Sequence, residues 1–174
     1  MRFRLLALIV LGLLARPAIG APHTWELDQV HFDDGGTAYG WIQFDSVSGS
    51  LLDFHIRVEG GNEASFPAGA YDASSGTSGQ RLQYLANPVD SFVFSGGDGD
   101  IQTLLRLTPE ANLEGQTGRI ALDLAFADGN VECQGCSPFR LIVEGSLINL
   151  VSRDGFEGTA SGGGGGGDGG DGDG

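Results

Sequence analysis

The stretch Leu52-Asp53-Phe54-His55-Ile56-Arg57-Val58-Glu59 decides the fold class. Phe54, Ile56 and Val58 alternate with His55, Arg57 and Glu59. Side chains of an extended strand point to opposite faces at every second residue, so one set is committed to a core and the other to water. Working outward, short runs of the same kind recur, parted by clusters of Gly, Asp, Asn, Ser and Pro. Residues 24–32 form one run, ended by Asp33-Asp34-Gly35-Gly36. Residues 37–44 form the next, with residues 45–50 as its turn. Residues 60–80 read as a long loop rich in Gly, Ser and Ala. Residues 81–86 and 91–95 are strand candidates that bracket Asn87-Pro88.

Residues 101–108 fit two patterns: Ile101, Leu104 and Leu105 suit a helix, and Ile101, Leu105 and Leu107 with Thr103 suit a strand. The preceding Gly-Asp loop and Pro109 favour the strand. Residues 119–127 give the longest alternation, with Ile120, Leu122, Leu124 and Phe126 on one face. Residues 139–150 are apolar on both faces, as a central strand is. Seven to eight short strands at regular spacing predict an all-β protein, a single antiparallel β-sandwich or barrel-like domain over residues 22–153. A domain of that length buries about two-thirds of its unfolded surface. A doubly wound α/β fold needs crossover helices of ~10 residues or more, and no such pattern is visible.

The two ends read differently from this middle. Arg2 and Arg4, the apolar run of residues 5–14 and the small residues Ala18-Ile19-Gly20-Ala21 predict a signal peptide over residues 1–21, cleaved after Gly20 or Ala21. Its apolar run falls short of the ~20 residues that span a bilayer. Residues 154–174 are dominated by Gly and Asp, with nothing to bury, and are expected to be a disordered tail. The whole chain carries 9 basic and 23 acidic residues, a net charge of −14. Three arginines leave with the signal, so the mature chain stands at −17, without a single lysine. Such a surface repels phosphate backbones, which excludes nucleic acid as a partner. No membrane span is expected after signal cleavage.

Phe32-Asp33-Asp34-Gly35-Gly36-Thr37-Ala38, then Gly40, Phe44-Asp45 and Gly49, resemble the opening of a domain common in exported bacterial proteins. Glu132-Cys133-Gln134-Gly135-Cys136, followed by Arg140-Leu141-Ile142 and Gly145-Ser146-Leu147, resemble its cysteine-containing last hairpin. Many proteins with this domain end in a PEP-CTERM sorting signal. The resemblance covers roughly residues 24–151 and implies an exported β-rich domain of unknown function in a Gram-negative bacterium. It supplies no catalytic residues. The chain departs from that architecture after Arg153, where no Pro-Glu-Pro signal, apolar helix or basic cluster follows.

Four features carry chemistry. Cys133 and Cys136 are the only cysteines, and export favours a disulfide between them. A redox pair wants its first cysteine at a helix N-terminus, whereas this pair lies between strand runs. A zinc site wants about four ligands, and His23, His31 and His55 lie far upstream. Neither a Gly-x-Ser-x-Gly elbow nor a His-Glu-x-x-His helix occurs, and carboxylates at glycosidase spacing are expected by chance among 23. Gly166-Gly167-Asp168-Gly169-Gly170-Asp171 matches the start of a calcium-binding nonapeptide, but a single copy cannot stack, and Gly96-Gly97-Asp98-Gly99-Asp100 misses the pattern by one residue. No cofactor is expected, beyond weak calcium binding. Last, Tyr39 and Trp41 share one face of a strand, opposite Gly40, Ile42 and Phe44. They form either an exposed ligand platform or a second buried face. The expectation is a non-catalytic module of the cell surface or extracellular matrix, its partners polysaccharide or surface proteins. The alternatives are a carbohydrate-binding domain using Tyr39 and Trp41, or a hydrolase of unrecognised type.

Overall fold

The structure, a computed structural model, describes residues 22–45, 47–83, 90–97, 102–126 and 129–149. The expected signal peptide, the tail, Asn87-Pro88 and the aspartates of both calcium-like motifs lie outside them. Ten strands are present among the described residues: β1 Pro22–Phe32, β2 Thr37–Asp45, β3 Leu51–Glu59, β4 Gly69–Asp72, β5 Ser78–Gln83, β6 Asp90–Gly96, β7 Thr103–Leu107, β8 Arg119–Ala121, β9 Val131–Gln134 and β10 Phe139–Asn149. All pairings are antiparallel, in the order β4-β3-β2-β1-β10-β9-β7-β6-β5, with β8 on β10.

β10 joins the two halves of the sheet. Its first residues, Phe139 to Leu141, pair with β9, and residues 142–149 pair with β1. The halves fold onto each other, with Phe44 packed on Phe92 at 6.4 Å and Phe54 on Phe94 at 4.8 Å between ring centroids. At the far ends β3 and β5 lie side by side: a Cβ on Gly79 would stand 2.6 Å from the side chains of both Leu51 and Phe54. The sheet is therefore a nearly closed, barrel-like wrap around one core.

Alternation fills that core as the sequence requires. Phe54, Ile56 and Val58 of β3 are buried, while Arg57 and Glu59 face water. β1 changes phase midway: Trp25 and Leu27 point inward, and so do Val30 and Phe32. A bulge between Asp28 and His31, with Gln29 at φ 52°, supplies the odd residue that makes this possible.

Four expectations need correction. The loop over residues 60–80 contains β4, which carries a single buried anchor, Tyr71, and is too short for alternation to reveal. Residues 119–127 form a strand only as far as Ala121, and Leu124 is exposed rather than core. There Asp123 Oδ1 accepts the N–H groups of Ala125 and Phe126, and this local turn overrides the apolar period. β9 is a short strand that the sequence reading did not anticipate. β10 is central in its hydrogen bonding but not buried on both faces, since Phe139, Leu141 and Val143 point into solvent. Its inner face carries Arg140 instead, with 1% of its surface exposed.

Candidate functional site

Tyr39 and Trp41 lie on the outer face of β2, because Ala38, Ile42 and Phe44 take the core. Two residues apart on a strand, the rings are spaced by about 6.8 Å along it. Tyr39 is 43% exposed and Trp41 is half-buried. Gly40 between them sits at φ 129°, and a Cβ there would lie 2.0 Å from the backbone oxygen of His55. Only glycine permits this close approach of β2 to β3.

Pairing across the sheet surrounds the rings with polar groups. Arg57 of β3 stands opposite Tyr39, and Ala70 of β4 opposite Arg57. His55 stands opposite Trp41 on one side and Glu26 of β1 on the other. Tyr39 donates its hydroxyl to Glu59 at 3.2 Å. Partial burial raises the pKa of that phenol, and the bond to Glu59 adds to the effect. The His55 ring leans on the Trp41 indole, with centroids 6.5 Å apart. Its Nδ1 pairs with Asp72, which also accepts the backbone N–H and hydroxyl of Ser74 at 2.7 and 2.6 Å. The Ser74 hydroxyl foremost, then His55, hold the Asp72 carboxyl down at about 2. A groove of about 230 Å³ runs beside Tyr39, floored by the small residues Ala68, Gly69 and Ala70 and walled by Arg57 and Glu59. The arrangement offers apolar ring faces, a cation and acceptors on one open surface, which suits a ligand with one apolar face and many hydroxyls.

The His55–Asp72 pair has the outline of a base with its orienting acid. Nucleophilic catalysis needs a hydroxyl or thiol hydrogen-bonded to the imidazole. Among the described residues no Ser, Thr or Cys is bonded to His55. Nor is any group of three or more His, Cys, Asp or Glu placed there to hold a metal ion.

Two other features stand apart from this face. Cys133 of β9 is bonded to Cys136 in the turn before β10, in the other half of the sheet. They border a mainly apolar groove of about 550 Å³ with Leu82, Val93, Leu104 and Phe139. Inside the barrel, Arg140 donates through Nε to Glu132 at 2.7 Å. Its Nη2 stands 2.6 Å from the same carboxylate, at an angle outside hydrogen-bond geometry, so that contact is ionic. Nη1 reaches Asp34 at 3.2 Å, and the guanidinium lies between the rings of Phe32 and Phe66, 4.0 and 4.8 Å from their centroids. Tyr71 donates its hydroxyl to Glu132 at 2.9 Å, and burial, reinforced by Glu132, raises the phenol's pKa strongly. Burial pushes the Asp34 carboxyl up, but the N–H groups of Asn62 and Gly36, aided by Arg140, outweigh it and leave the pKa lowered. A Cβ on Gly36 would stand 2.2 Å from Arg140 Nη1. Residues 32–36 and 132–140 thus meet at one buried ion cluster.

Tyr39 and Trp41 were legible as a shared face. Arg57 and His55 were legible only as residues facing water, and Asp72 only as part of a loop, because register alone brings them to the rings. No protein-family model, curated protein or solved structure matches the chain. No helix among the described residues is long and apolar enough to cross a membrane.

Proposed function

We propose that the protein is an exported, non-catalytic binding module of the cell surface or extracellular matrix, and that it holds a saccharide on the outer face of β2 and β3. The observation that carries this reading is the placement of Tyr39 and Trp41 side by side on an open sheet face, ringed by Arg57, Glu59, His55 and Asp72. A pyranose presents C–H groups on one face and hydroxyls at its rim. Aromatic faces receive the first, and charged or polar side chains bind the second. Such side chains lose little on binding, because both rings have few rotatable bonds and Trp41 is already braced by His55. The signal-peptide pattern and the resemblance to a domain of exported bacterial proteins support the location. A soluble, strongly acidic mature surface is in keeping with it.

The test uses the two tryptophans. Trp25 is fully buried and Trp41 is not, so acrylamide should quench Trp41 selectively. Mature protein titrated with a panel of soluble oligosaccharides should lose that quenching, and Trp41→Ala should abolish binding with an unchanged far-ultraviolet spectrum. Binding by Trp41→Ala at wild-type affinity, or no binding to any oligosaccharide, would overturn the reading.

A further inference from the structure

Among the described residues, four of the five arginines are engaged. Arg81 is bonded to Asp90 and Gly49, Arg119 to Asp28, and Arg140 to Glu132 and Asp34. Arg106 donates to Ser91 and lies over Phe126. Arg57 differs: it is exposed and makes no hydrogen bond or ion pair among the described residues. An exposed arginine without a carboxylate partner among the described residues thus stands directly across from the exposed Tyr39 and over the small-residue floor of the groove.

We infer that the ligand is an acidic saccharide, whose uronate carboxylate pairs with Arg57 while the same sugar ring lies against Tyr39. This rests on the saccharide-binding reading above and names its ligand class. Three observations carry it. The guanidinium is a planar fork of donors that fits a carboxylate with two parallel bonds, and here that fork is unused. The groove of about 230 Å³ is smaller than the ~300–1,000 Å³ of sites for drug-sized ligands, so it takes about one sugar unit. The floor is open because β4 presents Ala70 beneath Arg57, where a larger side chain would fill the space.

The net charge of −17 on the mature chain works against an acidic ligand mainly at long range. At physiological ionic strength charges more than ~8 Å away are largely screened. Of the carboxylates on this face, Glu59 accepts the Tyr39 hydroxyl, and Asp72 pairs with His55 and accepts the Ser74 hydroxyl; both keep their charge, but their oxygens are oriented towards these partners. Arg57 is the one cation lining the groove among the described residues, so a uronate entering there meets its guanidinium directly.

Calorimetry of the mature protein with hexameric oligogalacturonate and oligomannuronate, each beside its carboxyl-reduced neutral counterpart, tests this. At least one acid form should bind about tenfold or more tighter than its reduced partner, the scale of one charge-assisted bond. Arg57→Gln should bring that ratio close to one, and Arg57→Lys should restore part of it as a point charge without the fork. Ala70→Phe should block the acid form while leaving every charge in place, its fold checked by far-ultraviolet circular dichroism. Equal affinity for acid and reduced forms, or an unchanged ratio in Arg57→Gln, overturns the inference and leaves the saccharide platform standing. Binding of neutral oligosaccharides alone does the same. Failure of every saccharide to bind overturns both.

Discussion

Arg140 and Arg57 sit on neighbouring parts of one sheet and differ in almost every respect. Arg140 is 1% exposed, pinned between two phenylalanine rings and paired with two carboxylates. Arg57 is exposed and has no ion-pair partner among the described residues. A buried charge is tolerated only where its partners are built in, so Arg140 is bound to its surroundings and has nothing left to offer a ligand. An exposed arginine keeps its donors in exchange with water and can give them to a partner. Burial with full pairing is thus the mark of a structural cation, and exposure beside an aromatic ring the mark of a recognising one.

The comparison breaks first at Arg140. Arg140→Met leaves Glu132, 3% exposed, with a buried charge and only the Tyr71 hydroxyl for company. Removing one member of a buried pair costs ~3–5 kcal/mol, read as a shift of the urea midpoint. Adding Glu132→Gln should recover part of the loss. Gly36→Ala should act in the same direction, because its methyl would meet Nη1 of a guanidinium that the two rings prevent from moving aside. A stable Arg140→Met protein would show that the cluster is not what ties the two hairpins together.

How much of this was legible in the sequence follows the range of the forces involved. β3 was readable residue by residue from Phe54 to Glu59, where six side chains alternate between core and outer face. Residues 119–127 were misread because Asp123 caps a turn whose hydrogen bonds are local, and apolar periodicity does not register them. Residues 139–150 were read as apolar on both faces, which passed over Arg140, and its partners Asp34 and Glu132 are brought to it by tertiary pairing. The site divides the same way: Tyr39 and Trp41 come from one strand, while Arg57 and Asp72 arrive through register with the next two.

The two tryptophans repeat the contrast in apolar form. Trp25 is fully buried in the main cluster, so Trp25→Ala should cost ~3–5 kcal/mol. Trp41→Ala, half-buried and lying on His55, should cost less than half of that, ~1–2 kcal/mol. Equal losses on thermal or urea unfolding would place both rings in the core and remove the basis of the platform. The disulfide should matter on the lower scale too. Cys133 and Cys136 close a loop of about four residues, and the double serine variant should lose no more than ~2 kcal/mol.

Acid sharpens the comparison from the carboxylate side. Asp34, beside Arg140, and Asp72, beside His55, both have lowered pKa values, that of Asp72 about 2. A carboxylate with a depressed folded-state pKa contributes stability above its unfolded value of ~3.9 and loses it as the pH falls through the folded value. Stability should therefore be constant from neutrality to about pH 5 and decline between about pH 4 and 2. Both groups are solvent-accessible, so the decline should be shallow and weakened by salt. Asp72→Asn should flatten its lower part, and a protein indifferent to pH down to 2 would contradict both assignments.

The smallest effect on stability should be that of Arg57→Gln, and its smallness is informative. An exposed side chain with no hydrogen bond, ion pair or ring contact among the described residues gives the fold nothing that glutamine cannot replace. Its electrostatic influence on the Tyr39 phenol, which is neutral at pH 7, is a minor one. The long aliphatic stem still covers part of the sheet face, and glutamine keeps most of that cover. Substitutions of this kind stay within about 0.5 kcal/mol, so the urea midpoint and its slope should match the wild type within error. A loss above about 1 kcal/mol would mean that Arg57 holds a structural partner, and its contrast with Arg140 would be one of degree. An unchanged fold leaves the guanidinium free for whatever approaches the groove from outside.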